Sequence, residues 1–469
     1  MLVEQIYTGC LAQGAYYIES NGEAVVIDPL RESEPYISRA AHSGARIKYV
    51  LETHFHADFV SGHLELARAT GAQIVFGPGA NTGFGAHNAK DGERLKVGEL
   101  EIEVLHTPGH TPESTTYLLR DTQGRNYALF TGDTLFIGDV GRPDLAAGSS
   151  LSTEDMAGML YDSLRNKIMP LGDEVIVYPA HGAGSACGKN MSKETYDTLG
   201  HQKQVNYALR ADLSKGDFIL ELTTGIPAPP AYFPLNVHLN KHGYAALHDV
   251  LSRGTRPLTP EAFRQVAEQE QALILDTRKP EAFAAGHIPG SINIGIDGGF
   301  APWVGTLIPD IGQRILLVTD PGREQEVVTR MARVGYDHAM GYLDGGLSAW
   351  VAAGFAIDRI HSISVEEFVR MKLAHPDYGI LDVRKPGEYQ SEHLEEAELL
   401  PLDSINELQQ KINPNRDYFV HCAGGYRSMI FVSIQKARGF HRLINVEGGM
   451  AAIRKSGQFT LQTSACSSH

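Results

Sequence analysis

Residues 53 to 59 read Thr53-His54-Phe55-His56-Ala57-Asp58-Phe59, so that His54, His56 and Asp58 alternate with other side chains. Imidazole and carboxylate suit zinc or iron, and this spacing lets a turn after a strand splay them around a cation. The run stops at Phe59, where a further ligand could stand, and that ending points to one metal rather than two. Three later segments supply donors in similar settings. His110 lies in the turn Pro108-Gly109-His110-Thr111-Pro112, Asp133 ends Ala128-Leu129-Phe130-Thr131-Gly132-Asp133, and His181 follows Val175-Ile176-Val177-Tyr178-Pro179-Ala180. A single histidine among the chain's 20 is usually a surface or satisfied core residue. A strand followed by a ligand, repeated at each of these places, reads as a metal site. His87, His106, His201 and His238 lack that setting and stay with the ordinary reading.

The elements that must position these groups are legible around them. Ile47 to Thr53 has strand composition, Leu100 to Leu105 alternates, and the runs into Asp133 and His181 are short, apolar and bounded by turn residues. Gly62 to Arg68 has a helical pattern. Ligands at the C-terminal edges of strands face the crevice where α/β folds place their sites. Helical stretches from Tyr196 to about Leu222 close this part. Pro227-Ala228-Pro229-Pro230 opens a segment expected to be irregular as far as Gly243, with residues 244–257 as the boundary to the second half of the chain.

A repeat occupies that second half. Leu273-Ile274-Leu275-Asp276-Thr277-Arg278-Lys279-Pro280 returns as Gly379-Ile380-Leu381-Asp382-Val383-Arg384-Lys385-Pro386, with Asp382 106 residues after Asp276 and His393 equally far after His287. Gly345-Gly346 returns 103 residues later as Gly448-Gly449. A near-constant offset over a whole segment means a duplicated domain. Each copy alternates apolar strands with helical runs, the pattern of a parallel α/β sheet. The copies differ where chemistry would occur. The second has His421-Cys422-Ala423-Gly424-Gly425-Tyr426-Arg427-Ser428 between strand and helix. Backbone N–H groups and the helix dipole there stabilise a thiolate, a persulfide or an oxyanion. Gly424 and Gly425 permit the tight curl, and Arg427 adds a charged donor. In the first copy Asp320 replaces the cysteine and the loop to Arg323 is shorter by two residues, so this copy reads as catalytically silent.

The pieces His-X-His-X-Asp, Pro-Gly-His-Thr, Thr-Gly-Asp-Thr and Pro-Ala-His-Gly resemble the metallo-β-lactamase superfamily over roughly residues 1–245. Binuclear zinc hydrolases of that superfamily carry a second histidine where this chain has Phe59. What remains resembles the persulfide dioxygenases, and the resemblance implies one Fe(2+) held by His54, His110 and Asp133, with His56, Asp58 and His181 as supporting or proton-handling groups. Two histidines and a carboxylate on one face of iron leave positions open for dioxygen and substrate. The stretch Thr134 to Asp144 looks like the family's loop that sets an arginine beside the thiol substrate, which makes Arg142 a candidate substrate ligand; the alternative is a salt bridge to Asp144. Glutathione-using members have a tyrosine two residues after the last histidine, whereas this chain has Ala183. Cys187, six residues beyond His181 in a Gly/Ser loop, stands either at the pocket mouth as gate or sulfur acceptor or as filling of a turn. The Asp-X-Arg and Gly-Gly pieces of both copies, with Gly-His-Ile-Pro-Gly in the first, of which Glu392-His393-Leu394 in the second keeps only the histidine, resemble rhodanese domains, over residues 256–356 (no nucleophile) and 360–460 (active, through Cys422).

The expected architecture is therefore α/β: an N-terminal αββα sandwich followed by two rhodanese-like domains with parallel sheets. The resemblance implies oxidation of a small-molecule persulfide by dioxygen to sulfite, with sulfur transfer at Cys422 giving thiosulfate. Its alternatives are a zinc thioester hydrolase resembling glyoxalase II and a non-enzymatic sulfur carrier or sensor. Coenzyme A, bacillithiol, glutathione and hydrogen disulfide are all open as the sulfur carrier. At 469 residues, 42% hydrophobic and 21% charged, the chain has room for about three globular domains. A net charge of −15 without a basic block argues against nucleic acid or an anionic membrane as partner. No leader or spanning run is evident, and Cys10, Cys187, Cys422 and Cys466 are too few for a disulfide framework, so a cytoplasmic protein is expected. Homo-oligomers are common among such enzymes, and one is expected here.

Overall fold

Period-two burial governs the first part of the chain. In the computed structural model, which describes residues 1–146 and 151–463, one compact unit comprises Met1–Leu247 with Ala332–Gly335 and a second comprises the rest. Cys466 lies outside the described residues. The first unit holds two six-stranded sheets. One runs in order β1 (Leu2–Thr8), β2 (Gln13–Ser20), β3 (Glu23–Ile27), β4 (Arg46–Leu51), β5 (Gln73–Phe76), β6 (His87–Asn88). The other contains β7 (Arg94–Val97), β8 (Leu100–His106), β9 (Thr115–Arg120), β10 (Asn126–Gly132), β11 (Ile176–Pro179) and β12 (Asp197–Thr198), again in sequence order across the sheet.

Successive side chains on a strand point to opposite faces, so each strand feeds two layers of core. Tyr16, Ile18, Val25 and Ile27 meet Ile102, Val104, Tyr117 and Phe130 between the sheets. The intervening Ala15, Tyr17, Ala24 and Val26 face outward against Tyr36 and Ala40 of the helix Glu34–Ser43. On the far side Leu105, Leu118 and Leu129 pack under Ala157 and Leu160 of the helix Thr153–Ser163, whose first turn is closed by a Ser152/Asp155 capping box. Helix, sheet, sheet and helix thus stack as the expected αββα sandwich. One departure lies after the prolines: the segment expected to be irregular contains the helix Phe233–His242. Pro234 falls in its first turn, where the missing N–H breaks no helical bond.

The second unit contains two five-stranded sheets in which every pairing is parallel. Their orders are the same: Pro257–Leu258, Ala339–Leu343, Ile315–Val318, Leu273–Asp276, Ile292–Asn293, and Ser362–Ile363, Leu443–Val446, Tyr418–His421, Gly379–Asp382, Ala397–Leu399. The repeated Asp-X-Arg piece explains itself here. Arg384 Nε and Nη2 donate to the Asp382 carboxylate at 2.9 and 2.6 Å, and Nη2 also reaches the Glu392 carbonyl. Arg278 does the same with Asp276 and the Gly286 carbonyl. The motif ties a strand end to the close of the following helix, which is why it persists in the copy without a nucleophile.

Candidate metal centre and sulfur-transfer loop

All four ligand-bearing turns open at strand ends of the sandwich. His54 and Asp58 follow β4, His110 lies between β8 and β9, Asp133 follows β10 and His181 follows β11. Every one of these side chains is buried. The turn at Asp133 needs its glycine: Gly132 has φ +53°, and a Cβ there would strike the Thr53 side chain, which belongs to the turn carrying His54.

Hydrogen bonds on the far side of each ring fix the tautomers. His110 Nδ1 is 2.8 Å from the Arg142 carbonyl and His181 Nδ1 is 3.3 Å from the Ala12 carbonyl; carbonyls only accept, so both Nδ1 atoms carry the proton. His54 Nδ1 is 2.9 Å from Thr53 Oγ1, whose own proton goes to Asp28 Oδ2 at 2.8 Å. It too is the donor. Each Nε2 therefore presents a lone pair. His54 Nε2 and His110 Nε2 lie 3.9 and 3.3 Å from Asp133 Oδ2, and neither Asp133 oxygen receives a hydrogen bond. Three acceptors converge in a buried space with no donor between them, an arrangement that a cation bonded at about 2.1 Å satisfies. Burial, reinforced by the imidazoles of His56, His110 and His181, pushes the His54 pKa well below its ordinary value and favours the neutral form a ligand needs.

His56 turns away from this set. Its Nε2 is 3.1 Å from Asp28 Oδ1 and 3.5 Å from Glu52 Oε2, and its ring lies against Phe59 at 4.3 Å. Burial opposes the imidazolium, yet Asp28 and then Glu52 outweigh it and hold the His56 pKa up at about 9. Asp28, Glu52 and Asn240 are structural supports that sequence reading did not single out. Asp28 also accepts from the Thr53 N–H at 2.8 Å, and Asn240 donates to the carbonyls of His56 and Phe59, both at 2.8 Å. For Asp28 a signal existed, since Ile27-Asp28-Pro29 repeats the pattern of a strand ending in a carboxylate.

Arg142 is a strut. Its guanidinium donates twice to Asp144, both at 2.7 Å, and also to the carbonyls of Ala186 and Pro227. The pairing with Asp144 that the sequence offered is present in the structure. The Arg142 N–H donates to the Cys187 carbonyl at 3.0 Å, so one residue orients His110 and pins the Cys187 loop. Cys187 is 1% exposed, and burial first, then Asp58 and Asp133, pushes its thiol pKa well up.

In the second unit Cys422 follows the strand Tyr418–His421 and precedes the helix Tyr426–Ala437. The Gly425 N–H donates to its Sγ at 3.1 Å. The Gly448-Gly449 turn braces this loop from behind, with the Met450 and Ala451 N–H groups donating to the carbonyls of Cys422 and Ala423 at 2.7 and 3.0 Å. A Cβ at Gly449, φ +52°, would run into the Cys422 carbonyl, whereas nothing lies within 4 Å of one at Gly346, φ +59°. Gly449→Ala should therefore destabilise by more than the ~1–2 kcal/mol that a left-handed backbone costs alanine, and Gly346→Ala by about that figure; thermal unfolding of the two variants compares them.

Arg427 is held beside the loop by Glu388, Nη1 and Nη2 donating to its two oxygens at 2.6 and 2.8 Å. The first copy has Ala282 at the matching position. Arg427 keeps the Glu388 carboxyl below its ordinary range. That pairing is present above the unfolded value and is lost as pH falls through the depressed one. Sulfite release from thiosulfate should accordingly hold through the ordinary carboxylate range and fall off below it, while Glu388→Gln starts lower and lacks that step in its pH profile. The first copy also shapes the space in front of the loop. Tyr426 Oη donates to the Gly295 carbonyl at 2.7 Å, and a cavity of about 380 Å³ is lined by Lys279, Glu281 and Asp297 together with Gly424, Gly425 and Glu447.

An αββα sandwich with ligands at its strand ends, followed by two parallel sheets of one strand order, defines a metallo-β-lactamase fold joined to a rhodanese pair. Residues 8–181 match the metallo-beta-lactamase superfamily, and residues 259–353 and 364–456 match the rhodanese-like domain. The chain belongs to the metallo-β-lactamase superfamily and carries two rhodanese-like domains behind that fold. Hydroxyacylglutathione hydrolase GloC of Haemophilus influenzae is 30% identical over 204 residues, 39% of this chain and 85% of that one. The human mitochondrial persulfide dioxygenase ETHE1 is 34% identical over 161 residues, 34% of this chain and 59% of its own length. A solved metallo-beta-lactamase from Staphylococcus aureus is 32% identical with a TM-score of 0.64, covering 73% of this chain and 98% of that one. No helix among the described residues is long and apolar enough to cross a membrane.

Proposed function

We propose that the chain is an iron-dependent persulfide dioxygenase with a sulfurtransferase domain, divided at residues 1–245, 256–356 and 360–460. The observation that carries this reading is the presence in one chain of a two-histidine, one-carboxylate set and a cysteine on a rhodanese loop. His54, His110 and Asp133 would hold one Fe(2+), and the metal supplies activation of dioxygen beside a bound persulfide. The chain's part is to keep three acceptor atoms fixed on one face, with Thr53, the Arg142 carbonyl and Asp28 locking the rings, and to keep the space dry. The overall change is R–S–SH + O₂ + H₂O → R–SH + SO₃²⁻ + 2H⁺. At the second centre Cys422 attacks a sulfane sulfur, releases the carrier thiol and becomes Cys422–S–SH; sulfite takes the outer sulfur, leaving thiosulfate and the Cys422 thiol. The same residues run this transfer in either direction.

The likeness to hydroxyacylglutathione hydrolases supports a second reading, a zinc thioester hydrolase. Metal analysis of protein purified without oxygen, with oxygen uptake on a panel of persulfides and hydrolysis of thioesters, separates the two. Stoichiometric iron with persulfide-dependent uptake supports the dioxygenase, and continued turnover of excess persulfide rules out a mere sulfur carrier. Zinc with thioester cleavage and no oxygen uptake would overturn the proposal.

A further inference from the structure

The cavity in front of the Cys422 loop takes its walls from both copies, and its lining is rich in acceptors. The first copy places a glycine where the Tyr426 ring enters, since a Cβ at Gly298 would strike that ring. With Tyr426 Oη bonded to the Gly295 carbonyl, the ring stands as a fixed wall, and nothing lies within 4 Å of a Cβ added at Gly424 beside it. The space next to the loop is therefore open to a ligand. At about 380 Å³ it falls in the range of small-molecule sites. Asn445 lines it and is 2% exposed; its Nδ2 donates to Ser362 Oγ at 2.8 Å, while its Oδ1 is buried without a hydrogen bond. An amide whose donor is used and whose acceptor is left over in a cavity wall calls for a donor on the ligand. Glu281 of the first copy and Glu447 of the turn behind the loop line the same space. Asp297 does so too, but Arg323 Nη1 takes it up at 2.6 Å. Lys279 is the cation of the lining.

We propose that this cavity receives the carrier end of the persulfide, and that the carrier is a thiol bearing an amino-acid group, an ammonium with a carboxylate. An ammonium has three hydrogens to donate, and Asn445 Oδ1, Glu281 and Glu447 are three groups that accept. Lys279 is the partner for the ligand's carboxylate. The phosphates of coenzyme A would meet Glu281 and Glu447 as like charges, which selects against that carrier. Hydrogen disulfide carries no ammonium and leaves Asn445 Oδ1 without a partner. In the step that the cavity serves, the Cys422 thiolate attacks the outer sulfur of R–S–SH and the S–S bond breaks. The outer sulfur stays, with its hydrogen, as Cys422–S–SH, and the departing R–S⁻ takes a proton from solvent. This inference rests on the reading of Cys422 as the nucleophile of a sulfurtransferase.

Sulfur transfer to sulfite by the full chain tests it, run without dioxygen so that the metal centre is idle and corrected with Cys422→Ser for reaction in buffer. Cysteine persulfide and N-acetylcysteine persulfide are the donors compared, since they differ in the ammonium. The parent should use the first with a kcat/KM at least about ten-fold higher, the worth of a hydrogen bond to a charged group. Glu281→Gln combined with Glu447→Gln should bring the ratio of the two donors toward one, through the KM of cysteine persulfide. Both glutamates are exposed, so the exchange leaves the fold in place. Glutathione persulfide set against cysteine persulfide distinguishes a γ-glutamyl peptide from a free amino acid as the source of the ammonium. Equal use of the two donors through Cys422, a ratio that the double variant does not change, or coenzyme A persulfide as the preferred donor overturns the inference and leaves the sulfurtransferase reading standing. Absence of Cys422-dependent transfer from every persulfide would overturn that reading, and the inference with it.

Discussion

Asp133→Asn is expected to abolish persulfide-dependent oxygen uptake and iron retention while leaving the metal-free fold at least as stable as the parent. The metal-free parent keeps two carboxylate oxygens without hydrogen bonds in a buried site, facing the lone pairs of His54, His110 and His181. Unpaired buried acceptors each cost about 1–3 kcal/mol. An asparagine of the same shape removes the charge and brings an amide N–H₂ that can donate to the histidine lone pairs, so the cage becomes self-satisfied and loses its demand for a cation. Thermal unfolding and iron binding check this. Chelation should lower the melting temperature of the parent, since a ligand at a hundred times its dissociation constant adds about 2.7 kcal/mol, and should leave Asp133→Asn unmoved. An asparagine variant that bound iron as the parent does and consumed oxygen with persulfide would remove Asp133 from the ligand set.

The residues proposed as ligands stood out in the sequence because each follows an apolar run that reads as a strand end, and strand ends of one sheet converge. Their supports were harder. Asn240 holds the carbonyl of His56 from 184 residues away, and no local pattern announces such a partner. The helix that carries it was obscured by the prolines before it, although Pro234 lies where a helix tolerates proline. Arg142 shows a different limit: its bond to the Pro227 carbonyl, 85 residues away, has no local sequence signal. Glu388 was within reach, since the repeat sets it against Ala282 in the copy without a nucleophile.

That contrast between copies leads to the second large effect. Cys422→Ser should reduce sulfur transfer from thiosulfate to background and leave oxygen uptake near the parent rate, with sulfite replacing thiosulfate as product. Serine is close to isosteric, and its oxygen can accept the Gly425 N–H that Cys422 Sγ accepts at 3.1 Å, so the loop and the brace at Gly449 stay in place. What is lost is the nucleophile: a thiolate attacks a sulfane sulfur, and an alcohol, un-ionised at neutral pH, does not replace it. The chain itself contains a harsher version, Asp320 on a loop two residues shorter, where nothing lies within 4 Å of a Cβ added at Gly346. Thiosulfate formation should be followed with added sulfite and corrected for the reaction of sulfite with persulfide in buffer. Parent-rate thiosulfate from Cys422→Ser under those conditions would place the transfer elsewhere, and Cys187, the other buried thiol among the described residues, would be the next to replace.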